Sequence, residues 1–339
     1  MPDAAPPPPP PPPAPPLHER YLARLKQRRW VAVLLVIAAI VTGVAGFTDS
    51  AKKLVALFQP EPREDPRQQL VKLGQPLTQD AFVAAAARGD ETAVRWYLQA
   101  AIPVNELSGQ ELTALDVATR AKRTAVVKQL LAAKADQSQW GPRVGPALSV
   151  AAFAGDEALT RLLLDANPAA DVVKRAYVSA AAAGQFPMLQ ILAPRLGLSP
   201  GPVATEALWA LAGGARESTA PSSARAATAT FLIAAGADPR AVDPEVRNNT
   251  VLHRAADSGE KDVARVLLDQ GVPVDPRDTG GATPLWWMAG VGNMEMAELL
   301  IEHHADVKAV AKDGTSVMAR ARYNRDDQMI ALLRQHGAR

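Results

Sequence analysis

Thr250-Val-Leu-His-Arg-Ala-Ala256 returns thirty-three positions later as Thr283-Pro-Leu-Trp-Trp-Met-Ala289. In each stretch an apolar residue, Leu252 or Leu285, stands seven positions before a glycine, Gly259 or Gly292. The same apolar opening can be followed along the chain as Phe82, Leu115, Leu148, Tyr177, Leu208, Leu252, Leu285 and Met318. The steps are 33, 33, 29, 31, 44, 33 and 33 residues. Four equal steps out of seven mark an internal repeat, so the fold is an array of similar units.

A second register follows each stop. Apolar residues fall four, seven and eight positions on, as in Leu159, Leu162 and Leu163, or Val263, Val266 and Leu267. Met188, Ile191 and Leu192, then Met296, Leu299 and Leu300, then Met329, Leu332 and Leu333 repeat the pattern. That spacing predicts the buried stripe of a second helix. A turn comes next, as Gly236-Ala-Asp238, Gly271-Val-Pro-Val-Asp275 or His304-Ala-Asp306. Clusters of alanine in the first helix, such as Ala84–Ala86, Ala151–Ala152 and Ala180–Ala181, let neighbouring units approach closely. One helix pair cannot bury its apolar face alone, so the pairs stack into a solenoid.

These residues resemble ankyrin repeats. Thr250–Ala256 and Thr283–Ala289 are similar to the family's Thr-Pro-Leu-His-x-Ala-Ala opening, and Ala235-Gly-Ala-Asp238 to its inter-repeat turn. From Leu148 to Leu208 the opening is lost, and Ser149 or Trp209 takes the His place. The expected fold is an all-α repeat solenoid of about eight ankyrin helix-turn-helix units with short hairpin turns, preceded by one transmembrane helix. The 44-residue step predicts an insertion near Arg216–Ala224, rich in Ser, Pro and Ala, read as a mobile loop. Polar residues in the last unit suit a solvent-facing cap. Trp287 is expected in the core and Trp286 either there or at the surface.

The first part of the chain is of another kind. Residues 1–16 are almost wholly Pro and Ala and predict a solvated, disordered tail. Residues 17–29 are basic. Residues 30–48, from Trp30 to Thr48, carry no charge. A helix of that length spans roughly 28 Å, close to a bilayer core of about 30 Å. Five basic residues in the ten before Trp30 place the N-terminus in the cytoplasm and the repeats across an inner membrane, in the periplasm. An uncleaved anchor is favoured over a signal peptide because the charged preface and the apolar span are both long. Residues 49–76 read as a linker and 77–339 as the repeat domain.

The remaining composition mostly excludes. Residues 77–339 carry 27 basic and 29 acidic side chains, a poor polyanion surface, so nucleic acid is not an expected partner. There is no Cys, which removes disulfides, thiolate zinc sites and thiol catalysis. His303 and His304, beside Glu302 and Asp306, are adjacent and so lack the i, i+4 histidine spacing of a helical metal site. Neither a phosphate loop, a dinucleotide fingerprint nor a nucleophile elbow occurs, so the chain is read as no enzyme, without cofactor, metal or small-molecule substrate. Asn248-Asn-Thr250 fits a glycosylation sequon.

The resemblance implies a protein partner bound on a concave face, built from turn tips and the two positions before each stop. Those positions are Ala87 and Arg88, Arg120 and Ala121, Phe153 and Ala154, Asp257 and Ser258, Gly290 and Val291, Tyr323 and Asn324. The tips offer Arg143, Arg247, Thr279, Lys312 and Asp313. Arg88, Arg120, Phe153 and Tyr323 are the expected anchors, since Arg and aromatic residues dominate binding hot spots. The expected role is an envelope binder that neutralises a toxin or effector, with an envelope scaffold as the alternative.

Overall fold

The computed structural model describes residues 65–142, 145–197, 201–215 and 220–339. The Pro/Ala tail, the basic segment, the expected membrane helix and the linker as far as residue 64 lie outside the described residues. No helix among the described residues is long and apolar enough to cross a membrane.

From Pro66 onward the chain forms one compact unit. Its first helix, α1 (Pro66–Lys72), falls where the sequence predicts linker; Leu70 is fully buried there and α1 packs on the third helix. Eight helix pairs follow: α2 and α3 (Gln79–Arg88, Glu91–Gln99), α4 and α5 (Ala114–Arg120, Thr124–Ala132), α6 and α7 (Ala147–Phe153, Glu157–Asp165), α8 and α9 (Ala170–Ala182, Phe186–Leu192). The other four are α10 and α11 (Gly201–Ala212, Ser222–Ala234), α12 and α13 (Val251–Asp257, Lys261–Asp269), α14 and α15 (Pro284–Val291, Met294–Glu302), α16 and α17 (Val317–Tyr323, Asp327–Gln335). First helices pack on first helices from α2 to α16, and second helices on second helices from α3 to α17, giving two layers. All eight register residues, from Phe82 to Met318, are at most 2 % exposed, so they form the spine of the core.

The polar parts of the repeat set the helix ends. Thr113, Thr250, Thr283 and Ser316 are N-caps of first helices, each accepting the N–H three residues on. Asp90, Asp156, Asn293 and Asp326 cap second helices in the same way. The stop residue lies in the left-handed region: Gly259 at φ 73° and Gly292 at φ 72°, but also Lys122 at φ 55° and Arg325 at φ 56°.

The second-helix stripe differs from the expectation by one position. Residues four and eight after the stop are buried, and so is the fifth, as in Val94, Leu189, Ala264 and Ala297. The seventh is only half-buried at Leu162, Ile191, Val266 and Leu332, though fully buried at Leu299. At about 100° per residue the fourth, fifth and eighth positions centre one face, and the seventh falls about 100° from that centre, at its rim.

The connections between pairs divide the array. Residues 270–283 and 303–316 project as hairpin fingers, and 235–250 holds the antiparallel pair β1 (Val242–Asp243) and β2 (Asn249–Thr250). Between α7 and α8 only residues 166–169 remain, and α8 has 13 residues where α6 has 7. Helix α10 is likewise lengthened to 12. In the middle of the array a longer first helix replaces the finger, which is why the steps shorten to 29 and 31.

The insertion lies between α10 and α11, as expected. Part of it is helix: Ser222–Ala224 form the first turn of the 13-residue α11. Directly behind, Arg225 is 7 % exposed. Its Nε meets Glu260 Oε2 at 2.5 Å, and its terminal nitrogens donate to the carbonyls of Ala182 (3.3 Å) and Leu211 (2.9 Å).

Candidate protein-binding face

One position in the first helices, directly after the register residue, bonds the repeat to the next at Asp116, His253 and Trp286. His253 is buried there; its Nδ1 accepts the Thr250 N–H, which leaves Nε2 to donate to the Ala282 carbonyl at 3.3 Å. Burial pushes its imidazole pKa down. Trp286 does the same work, its indole N–H reaching the Thr315 carbonyl at 3.0 Å. At Asp116 the polarity is reversed: the carboxylate accepts from the Gly141 and Thr113 N–H groups. Burial pushes the Asp116 carboxyl up, against those N–H groups and the Arg120 charge. Each of the three thus ties its own repeat to the loop of the next. Trp287, expected in the core, is only half-buried beneath the Arg247 guanidinium, 5.4 Å from the ring, while Trp286, left open between core and surface, is buried.

Ser149 occupies the same position in α6, but no finger follows its repeat. Its hydroxyl has no hydrogen-bond partner among the described residues, although Ser149 is only 7 % exposed. Beside it a groove of about 570 Å³ opens along the row of first helices. Arg120 of α4, Ser149, Val150, Phe153 and Ala154 of α6, Arg175, Val178 and Ser179 of α8, and Glu206 of α10 line it, with Gly145 and Pro146. Two of the expected anchors, Arg120 and Phe153, therefore share one depression. Arg120 makes no ion pair and no side-chain hydrogen bond among the described residues. Glu206 is paired with Lys174 at 3.0 Å, and Arg175 lies 5.5 Å from the centre of the Trp140 ring.

The other expected residues are distributed along the array. Arg88 is exposed and donates to Gln75 at 3.3 Å. Ala87 and Ala121 are half-buried. Asp257 and Ser258 are exposed near the other end, with Val291 at 62 % and Tyr323 at 81 % exposure. The Asn324 amide donates to the Gly290 carbonyl, so Asn324 joins two repeats. At the tips, the Arg247 carbonyl accepts the Thr279 N–H at 2.7 Å and the Gly280 carbonyl the Lys312 N–H at 2.8 Å, so backbone bonds link successive fingers. Lys312 and Asp313 are exposed, and the Thr315 N–H holds the Asp313 carboxyl below its ordinary value. Arg143 lies outside the described residues. Arg175, Val178 and Glu206 carry no motif; the shortened steps around Tyr177 were the one sequence signal pointing to them.

Residues 220–311 match the family description of ankyrin repeats (3 copies). Among curated proteins, the ankyrin repeat and KH domain-containing protein mask-1 of Caenorhabditis elegans is 37 % identical over 76 residues, 22 % of this chain and 3 % of that protein. The B-cell lymphoma 3 protein homolog of Mus musculus is 34 % identical over 113 residues, 32 % of this chain and 25 % of its own. A putative ankyrin repeat-containing protein of Treponema pallidum is 32 % identical over 95 residues, 28 % of this chain and 32 % of its own. The chain thus spans a third or less of the length of these relatives. It carries ankyrin repeats, and with them a protein-interaction module.

Proposed function

We propose that the chain holds a protein partner against its row of first helices, centred on the groove between α4 and α10. Residues 30–48 anchor it in a bilayer, with the N-terminus cytoplasmic and the repeats on the far side. The observation that supports the binding reading is the groove itself. It gathers Arg120, which makes no ion pair among the described residues, the half-buried Phe153 and the apolar Val150 and Val178 in one recess, the combination from which interface hot spots are made. The anchor rests on the charge-free run and its basic flank. In the envelope such a binder would neutralise a toxin directed at the membrane or wall.

The test is calorimetric titration of a partner captured from detergent-solubilised membranes. Arg120→Ala with Phe153→Ala should weaken binding at least tenfold, about 1.4 kcal/mol or more, with the circular-dichroism melt unchanged. Unchanged affinity in the folded double variant sinks the groove reading. A reporter fused after Arg339 should be active only outside the cytoplasm, and the opposite pattern reverses the orientation. Loss of the chain should sensitise cells to an envelope-directed toxin; stable co-purification with an envelope complex without that sensitivity replaces neutralisation by scaffolding.

A further inference from the structure

We propose that the occupant of this groove is an acidic segment, with a carboxylate on each side of an apolar residue. This deepens the protein-binding reading and rests on it. The argument begins with charge. Three charged side chains line the groove, Arg120, Arg175 and Glu206. Glu206 is already matched by Lys174 at 3.0 Å, which leaves two cations without an ion pair among the described residues; the buried Asp116 carboxylate, whose charge Arg120 feels, is held by the Gly141 and Thr113 N–H groups. They stand on α4 and α8, with α6 and its Phe153 between them. An occupant crossing the row therefore meets positive, apolar and positive surface in turn. The complement is acidic, apolar, acidic.

The chemistry of the two cations supports the choice. A guanidinium presents a planar fork that pairs bidentately with a carboxylate. Arg175 has its own support, the Trp140 ring 5.5 Å away, so its guanidinium is partly ordered before a ligand arrives. A second, independent feature marks the site as built for a ligand. Ser149 is more than nine-tenths buried, lines the groove and has no hydrogen-bond partner among the described residues. The equivalent His253 and Trp286 spend their polar atoms on the next finger. Here that finger is absent, and the hydroxyl is left for a passing peptide group. Unpaired buried polar atoms are costly, so a native site retains them where something else completes them.

The probes are fluorescein-labelled nonapeptides in which two Glu flank a central Leu or Phe at a spacing of one residue, each with its Gln counterpart. Anisotropy is read on the full-length chain in detergent micelles. The Glu peptides should bind at least tenfold tighter than the Gln peptides, and Arg120→Gln or Arg175→Gln should each reduce their affinity about fivefold. Glu206→Gln should tighten them about threefold, a gain that damaged folding cannot mimic. Arg265→Gln, exposed on the second-helix layer and outside the groove, should change nothing. Equal affinity for Glu and Gln peptides overturns the inference, as does tight binding that survives the Arg120→Gln, Arg175→Gln double variant. If neither peptide binds while the captured partner still responds to Arg120→Ala with Phe153→Ala, the acidic occupant is wrong and the groove reading stands. If the partner does not respond either, both fall.

Discussion

The stretch from Thr250 to Gln335 and the stretch from Ala147 to Ala212 have the same core and different edges. Both bury their register residues fully, Leu252 and Leu285 in one, Leu148, Tyr177 and Leu208 in the other. In the first, fingers hang from every connection and are stitched to one another through Arg247, Thr279, Gly280 and Lys312. In the second, α8 and α10 are lengthened and the connections shrink. The core fixes the repeat length only through its spine, and the rest of each unit is free to vary. Where the finger disappears, the polar atom that would have met it is stranded, and a groove takes its place. Loss of the motif thus marks the region where the groove opens.

That contrast can be broken experimentally, most severely where the two stretches meet. Arg225→Ala leaves Glu260 without its buried partner and removes one donor each from the Ala182 and Leu211 carbonyls, the latter still holding the Gly214 N–H; it should cost about 3–5 kcal/mol in denaturant unfolding. A loss under about 1 kcal/mol would show that the two stretches do not depend on this residue. Next, Trp286→Phe keeps an aromatic ring and removes the indole N–H, leaving the Thr315 carbonyl with the Ala311 N–H alone. It should cost about 1–2 kcal/mol, with the amides of the 303–316 finger exchanging faster.

His253 gives a smaller effect that depends on pH. Burial lowers its folded pKa below the ordinary imidazole value, so the unfolded chain binds the proton more readily. Its contribution is complete above the unfolded pKa, about 6.5, and is lost as pH falls below it. Unfolding at pH 7.5 and 5.5 should show a loss of stability in the acid that is reduced in His253→Gln. Ser149→Ala, at the same helical position in the fingerless stretch, should be the mildest of all. Its hydroxyl has no bond to lose among the described residues, so the change should lie within about 0.5 kcal/mol, and a cost above 1 kcal/mol would place a hidden partner there.

Much of this was legible from the sequence because the core dictates spacing. Phe82, Leu115 and Leu148 through to Met318 could be counted, and each is buried. The hydroxyl at Thr250 and Thr283 was visible as a motif, and the structure shows it to be an N-cap. The groove was only half legible. Arg120 and Phe153 could be placed from their distance to the stop, but Arg175 and Glu206 sit in helices that grew to fill a missing finger, and no motif marks such growth. Tyr323, also placed by that distance, proved exposed and remote from the groove's lining. Trp287 was misplaced because a bulky ring reads as core, whereas its N–H bonds Asp278 and its ring lies beneath the Arg247 guanidinium; Trp286, left open between core and surface, is buried with its N–H in the line of the next finger. Leu70 was missed because Pro60, Pro62, Pro66 and Pro76 mark a tether, and only the open end of the first repeat gives α1 a surface to cover.

A stacked array ordinarily behaves as a chain of links, each coupled only to the next, so it can fray from either end and stop anywhere. Arg225 alters that arithmetic. Sitting in the fifth helix pair, it holds the Ala182 carbonyl of the fourth, the Leu211 carbonyl of its own and the Glu260 carboxylate of the sixth. One side chain thereby couples second neighbours, and a boundary between folded and unfolded repeats that falls on either side of α11 breaks bonds in both directions. The insertion, which by itself would be the natural place for the array to part, is bolted at its far end. Unfolding of the two halves should therefore coincide in the native chain and separate into two transitions once the bolt is drawn.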